Sequence, residues 1–394
     1  MKQSIQLLVS SFFVILLIGL FATETSAAPD QSQTDVQAFD LNTISFEEVK
    51  RYWDQVVDEY GGYLPGIQKT NFLEYIENQE SLSVKTWISG LVQFLFHEVI
   101  VNGKLLGTLI MLTLFCMVLQ TFQTALESQT VSKVAYAIVY LVLIVLALSS
   151  FQLAASYAKD TIDMMSGFMM ALLPLMLGLM ATFGSLISVS FFQPVIVFLI
   201  HISVVLVSKI VIPLFFLSAL LHIVSTLNEN YKVTQLADLL KNTGLGLLGI
   251  FLSIFLGVMS VQGAASAIQD GVVMKTTKFV TGNFIPVVGR MFTDATDTVL
   301  SASLLLKNAV GIVGVIILLA LVLFPALKIF VIALIYKVTS ALLQPIGNGP
   351  VVACMNIISK HILYIFAALI VVSFMFFLAI VIIVASSNLT LMLR

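Results

Sequence analysis

Long uncharged apolar runs constrain this chain more than any other feature. Residues 105–126, 134–158, 164–187, 243–268 and 362–385 contain no Asp, Glu, Lys or Arg. Each matches the ~20 helical residues, rising about 1.5 Å apiece, that cross a bilayer core. Two further apolar regions are longer and interrupted. Residues 191–227 hold Pro194, Lys209 and Pro213, and residues 309–347 hold Pro325, Lys328, Lys337 and Pro345. Each is long enough for two short helices, so the sequence predicts seven to nine spans, some broken or re-entrant. With 59% hydrophobic residues, 10% charged and a mean hydropathy of +1.06, the expected fold is all-α: a polytopic helical membrane protein. Gly311 and Gly314, with Gly257, Gly263, Ala264 and Ala265, have the small-residue spacing of closely packed membrane helices.

The beginning of the chain differs from this pattern. Lys2 precedes an apolar run over 7–21, with Ser26, Ala27 and Ala28 behind it. This predicts a signal peptide over 1–28 cleaved after Ala27, with an uncleaved anchor as the alternative. Either version exports the next segment. Residues 29–98 carry twelve of the twenty-one acidic residues and four basic ones, Lys50, Arg51, Lys69 and Lys85. Such an anionic surface repels nucleic acid. Ser45 with Glu48 forms a capping box, and Phe46, Val49, Trp53, Val56 and Tyr60 recur at helical spacing until Gly61, Gly62, Pro65 and Gly66. A second short helix is expected over 71–78, and a third is apolar along Trp87, Leu91, Phe94 and Leu95. A segment this short buries little core alone, so it must lean on the bilayer, the rest of the chain or a partner. Residues 99–394 then form the polytopic membrane domain.

Between two apolar runs, residues 271–307 are the most irregular part of that domain. Gly282, Pro286 and Gly289 disfavour a single helix. Thr281, Gly282, Asn283, Pro286, Gly289 and Arg290 are therefore predicted to form a non-helical turn solvated by a cavity. Asp294 and Asp297 start the next helix, which carries Lys307 and Asn308 into the following apolar run. These ten are the candidate pathway or partner-binding residues. The alternative is an interfacial helix pair resting at the bilayer surface. Lys275, Lys278, Arg290 and Lys307 on the exported side would oppose the positive-inside bias. A re-entrant segment would reverse that parity, and both orientations stay open.

Charged and polar groups at membrane depth are costly. Lys209 and Lys337 can snorkel to an interface, whereas Lys328, His201 and His222 are candidates for a polar interior. Asp160 and Asp163 are expected to cap helix starts, with an ion entrance as the alternative. His97, His201, His222 and His361 stand in separate contexts, so no dyad and no metal site is assigned. Cys116 and Cys354 are expected as free thiols in apolar surroundings. The sequence has no GxxxxGK[ST] phosphate loop, no HExxH pair and no GxSxG elbow. It points to no enzyme and no cofactor, and a transport cycle driven by ATP would need a separate subunit. Similar segments beginning Lys241-Asn242 and Lys307-Asn308 leave a half-helix repeat open.

The stretch TGNFIPVVGRMFTDATDTVLSASLLLKNAVGIVG, followed by FPALKIFVIALIYKVTSALLQPIG ending at Gly347, resembles the stage III sporulation protein AE family of endospore-forming bacteria. The similarity extends over nearly the whole chain. It implies a multi-pass cell-membrane protein of the mother cell around the forespore, a subunit of an intercellular channel or secretion-like complex needed for late forespore gene expression after engulfment. The implied partners are the other stage III sporulation A-operon membrane proteins, including the ATPase AA, then indirectly stage II sporulation protein Q, the lipid bilayer and a membrane insertase. A stand-alone secondary transporter and a purely structural scaffold are the alternatives from other classes.

Overall fold

The computed structural model describes residues 47–64, 84–125, 129–182, 186–227, 232–284, 288–347 and 349–392, with the side chains of 84, 123–133, 182–189, 191–192, 227, 266–306 and 386–392 outside the described ones. Helix α1 (Glu47–Tyr60) ends in a 3-10 turn (Gly61–Tyr63) and is followed by α2 (Val84–Val101) and α3 (Gly103–Ala125). Then come α4 (Gln129–Thr182), α5 (Leu186–Val205), a π turn (Leu206–Val211) and α6 (Ile212–Leu227). The chain closes with α7 (Thr234–Phe284), α8 (Val288–Leu343) and α9 (Pro350–Met392). Every regular element among the described residues is helical, as the apolar runs predict. The signal peptide and the short helix at 71–78 lie outside the described residues.

Helix α1 is amphipathic in the expected register: Val49, Trp53, Val56 and Tyr60 are buried, while Glu47, Glu48, Lys50, Arg51, Asp54, Gln55, Asp58 and Glu59 are exposed. The Gly61–Gly62 pair stops it, and the Leu64 N–H closes the 3-10 turn on the Gly61 carbonyl at 3.1 Å. Helix α2 turns Phe94 into the core, with Trp87, Leu91 and Leu95 packed beside it.

The membrane domain departs from the expected count. Six helices among the described residues are long and apolar enough to span a bilayer: Gly103–Phe122, Val134–Ala181, Gln193–Thr226, Thr234–Ala265, Lys307–Leu343 and Pro350–Ala385. The run 134–158 and the part of 164–187 up to Thr182, expected as two spans, join within α4, 54 residues long. Between them stand Lys159, Asp160 and Asp163 but no glycine or proline. Charge interrupts the hydropathy there without breaking the backbone ladder. At about 1.5 Å per residue α4 is ~80 Å long, against a hydrocarbon core of ~30 Å, so its polar middle divides it into two apolar halves.

Each longer region also follows one helical path rather than two. In 191–227 the path passes through a π turn, immediately before Pro213. Proline lacks the N–H that would reach residue 209 and clashes with that carbonyl, and a π turn absorbs the misfit. In 309–347 the helix continues through Pro325.

Helices α8 and α9 form the most extensive pair, both lie against α4, and α7 packs on α9 and α6. Two glycines of α8 permit its close approach to α9 and α4. A Cβ on Gly311 would lie 2.5 Å from Val384 Cγ2, and one on Gly314 would lie 2.8 Å from Leu172 Cδ2. The small-residue pattern is thus used for close approach at 311 and 314, and at Gly263, where a Cβ would lie 2.9 Å from Ile382 Cγ2, whereas a Cβ on Gly257 would meet nothing within 4 Å, and Ala264 and Ala265 are exposed. Helix α3 exposes Met111, Phe115 and Phe122, an apolar surface suited to lipid or protein. Substituting Gly311→Leu should lower the melting temperature of the detergent-purified chain, because overpacking costs about 1–3 kcal/mol. Gly257→Ala should hold or raise it, since glycine inside a helix costs about 0.5–1 kcal/mol relative to alanine.

Candidate functional site

The first polar seam lies where α1 is seated on the membrane helices. Tyr60 stacks on Phe324 of α8, ring centroids 4.1 Å apart and planes 6° from parallel. Phe94 of α2 sets its edge against both, at 6.1 Å from Tyr60 and 4.9 Å from Phe324. Tyr63 meets Phe94 edge-on at 5.1 Å, and Tyr52 meets Phe168 of α4 at 5.5 Å. Offset and edge-on rings of this kind add to the burial of their area. Helix α1 therefore leans on the rest of the chain, the second of the three supports its short length allows.

Lys328 lies one turn beyond Phe324. Its Nζ is 3.7 Å from Glu59 Oε1 of α1 and 5.8 Å from the ring centroids of both Tyr60 and Tyr157. A carboxylate and two aromatic faces thus surround a cation that apolar α8 carries. The Tyr60 hydroxyl donates to Glu59 Oε1 at 2.6 Å. Burial, then that bond to the carboxylate, raises the Tyr60 phenol above its ordinary range.

A second seam joins α6, α7 and α9, and it corrects the expectation that no two histidines meet. The rings of His222 and His361 are 5.2 Å apart between centroids. Ser218 lies between them, its Oγ 2.7 Å from the Ala237 carbonyl oxygen, 3.1 Å from His361 Nε2 and 3.4 Å from His222 Nδ1. His222 Nε2 faces Asp238 Oδ1 at 3.6 Å, and Asp238 is also paired with Lys241. Ser218 and His222 share a helix face by their i, i+4 spacing, a sign available in the sequence. Their partner stands 143 residues beyond Ser218, a distance only tertiary packing closes.

The residues predicted around 281–297 occupy different conformations from those expected. Thr281, Gly282 and Asn283 belong to the last turn of α7, while Gly289, Arg290, Asp294 and Asp297 are inside α8. Pro286 lies outside the described residues. The predicted turn therefore does not extend to the glycines: a glycine costs a helix only about 1 kcal/mol, too little to end it. Helix α8 starts before Asp294 and Asp297, so neither is its cap. Lys307 is fully buried and its Nζ donates to the Val384 carbonyl at 2.9 Å. Asn308 follows it, with a buried side-chain oxygen that accepts no hydrogen bond from the described residues.

Asp160 and Asp163 are likewise not caps. Both are exposed in the middle of α4, where Ser156 Oγ donates to Asp160 Oδ2 at 3.1 Å. Lys209, Lys337 and His201 are exposed, and Lys337 Nζ donates to Asn356 Oδ1 at 2.8 Å. Cys116 and Cys354 are buried free thiols. Among the described residues no three His, Cys, Asp or Glu side chains could hold a metal ion.

Six apolar helices among the described residues, packed through close glycine contacts, define a polytopic helical membrane protein. Comparison with known sequences covers that membrane domain. The family model described as stage III sporulation protein AE matches residues 67–387. The stage III sporulation protein AE of Bacillus subtilis (strain 168) is 54% identical over 367 residues, covering 93% of this chain and 92% of that one. The chain belongs to the stage III sporulation protein AE family. No solved structure matches it.

Tyr60→Ala should release α1, since truncating a buried aromatic costs about 3–5 kcal/mol. Limited proteolysis of membranes should then cut within 47–60 at a protease level that leaves the parent chain intact there.

Proposed function

We propose that this chain is the membrane subunit of a multiprotein intercellular channel, or secretion-like complex, that acts during sporulation after engulfment and is needed for late forespore gene expression. Family membership supports the sporulation role. The observation that carries the assembly role is the seat of α1: one face is locked against α4 and α8 while the other presents Glu48, Arg51, Asp54 and Asp58 to its surroundings. A charged face fixed in orientation by an aromatic seat is a docking surface that loses little conformational entropy on binding.

In this reading residues 1–28 export the segment and the chain resides in the mother-cell membrane around the forespore. The partners are the other A-operon membrane proteins there, with stage II sporulation protein Q reached through them and a membrane insertase assisting insertion. Energy comes from the ATPase AA, because this sequence has no phosphate-binding loop.

Reversing the outward face with Arg51→Glu, Asp54→Lys and Asp58→Lys together should leave the chain in the membrane at its normal level. Late forespore reporter expression should fall at least tenfold, and the A-operon proteins should no longer co-purify. Normal expression with intact co-purification would refute the assignment. A single cysteine at Asp54, in a chain lacking Cys116 and Cys354, should react with an impermeant thiol reagent from the exported side only.

A further inference from the structure

We propose that Ser218, His222 and His361, closed off by Asp238 and Lys241, form a proton-binding site inside the helix bundle that takes up one proton. Three carbonyl oxygens at this seam face side-chain groups whose hydrogens can be counted. The Ile357 carbonyl lies 2.8 Å from His361 Nδ1, the Ser218 carbonyl 2.9 Å from His222 Nδ1, and the Ala237 carbonyl 2.7 Å from Ser218 Oγ. A carbonyl only accepts, so each interaction uses a hydrogen of the facing group.

With both rings neutral, those three bonds consume every hydrogen the two imidazoles and the hydroxyl possess. Two contacts are then left without one. His361 Nε2 faces Ser218 Oγ at 3.1 Å, and His222 Nε2 faces the Asp238 carboxylate at 3.6 Å. In each, a lone pair meets a lone pair. One added proton on His361 makes Nε2 a donor to Ser218 while Ser218 still donates to Ala237. The same proton on His222 makes an ion pair with Asp238. Lys241 already balances Asp238, and the rings are 5.2 Å apart, so a second proton would set two cations side by side.

Among the described residues, the groups that face these rings are few. Asp238 and Lys241 do so from α7, and Tyr364, on α9 with His361, meets that ring edge-on at 5.5 Å. The Tyr140 hydroxyl of α4 binds Thr226, one turn beyond His222, at 2.7 Å. The site also has a way in: the side chain of Asp238 is 49% exposed and that of His222 16%, whereas His361 is 3% exposed. A proton reaching Asp238 passes to His222 Nε2; His222 Nδ1–H then gives its hydrogen to the Ser218 hydroxyl, which gives its own to His361 Nε2 and leaves His222 as the Nε2–H tautomer facing Asp238.

The test uses the full chain in detergent with nitrogen-15-labelled histidine rings, resonances assigned through His97→Gln and His201→Gln. Between pH 8 and pH 5 the His222 and His361 rings should shift over one shared interval, together gaining one proton per chain. Ser218→Ala should separate them. Independent titration of the two rings, or no protonation of either, would overturn the proposal. None of these outcomes bears on the complex proposed above, which rests on α1.

Discussion

A peptide group surrounded by hydrocarbon has no water to bond, and this requirement governs the architecture. Each buried N–H and carbonyl must be paired within its own helix or by a neighbour. Helices therefore continue wherever the local sequence does not forbid it. Helix α4 runs through the charges at Lys159, Asp160 and Asp163, α7 continues through Gly282, and α8 continues through Gly289 and Pro325. Before Pro213 the chain widens by one π turn instead of opening a loop, whereas Pro174, Pro194 and Pro325 stand inside α-helices.

Long apolar helices gain little from the hydrophobic effect when they meet one another in lipid, so contact distance decides the packing. Gly311 and Gly314 bring α8 onto α9 and α4 at a separation a methyl group would prevent. That close core leaves polar residues at the seams. There the fully buried Lys307 reaches the Val384 carbonyl, Lys328 shares Glu59 and two aromatic rings, and the histidine pair gathers around Ser218. In each case a costly group is retained with specific partners.

The sequence makes the class, the helical content and the face of α1 legible, because hydropathy and 3.6-residue periodicity are local properties. The buried Val49, Trp53, Val56 and Tyr60 are the residues that spacing singles out. The span boundaries were less legible. Charge at 159–163 and glycine at 282 and 289 mark changes in composition, whereas a helix ends only where its hydrogen bonds do. The His222–His361 contact was hidden for a different reason, since nothing local to either residue specifies the other. Of the predicted site residues, Lys307 proves to be a buried helix-to-helix bond, and the side chains at 281–297 lie outside the described residues.

Pro325 gives the seat of α1 a mechanical meaning. A proline within α8 leaves the carbonyl four residues earlier without its usual donor, making that point the most easily bent along the helix. The Tyr60–Phe324 stack sits immediately before it and the Lys328–Glu59 pair immediately after. The N-terminal helix therefore splints α8 across its compliant point while also gripping α4 through Tyr52 and Phe168.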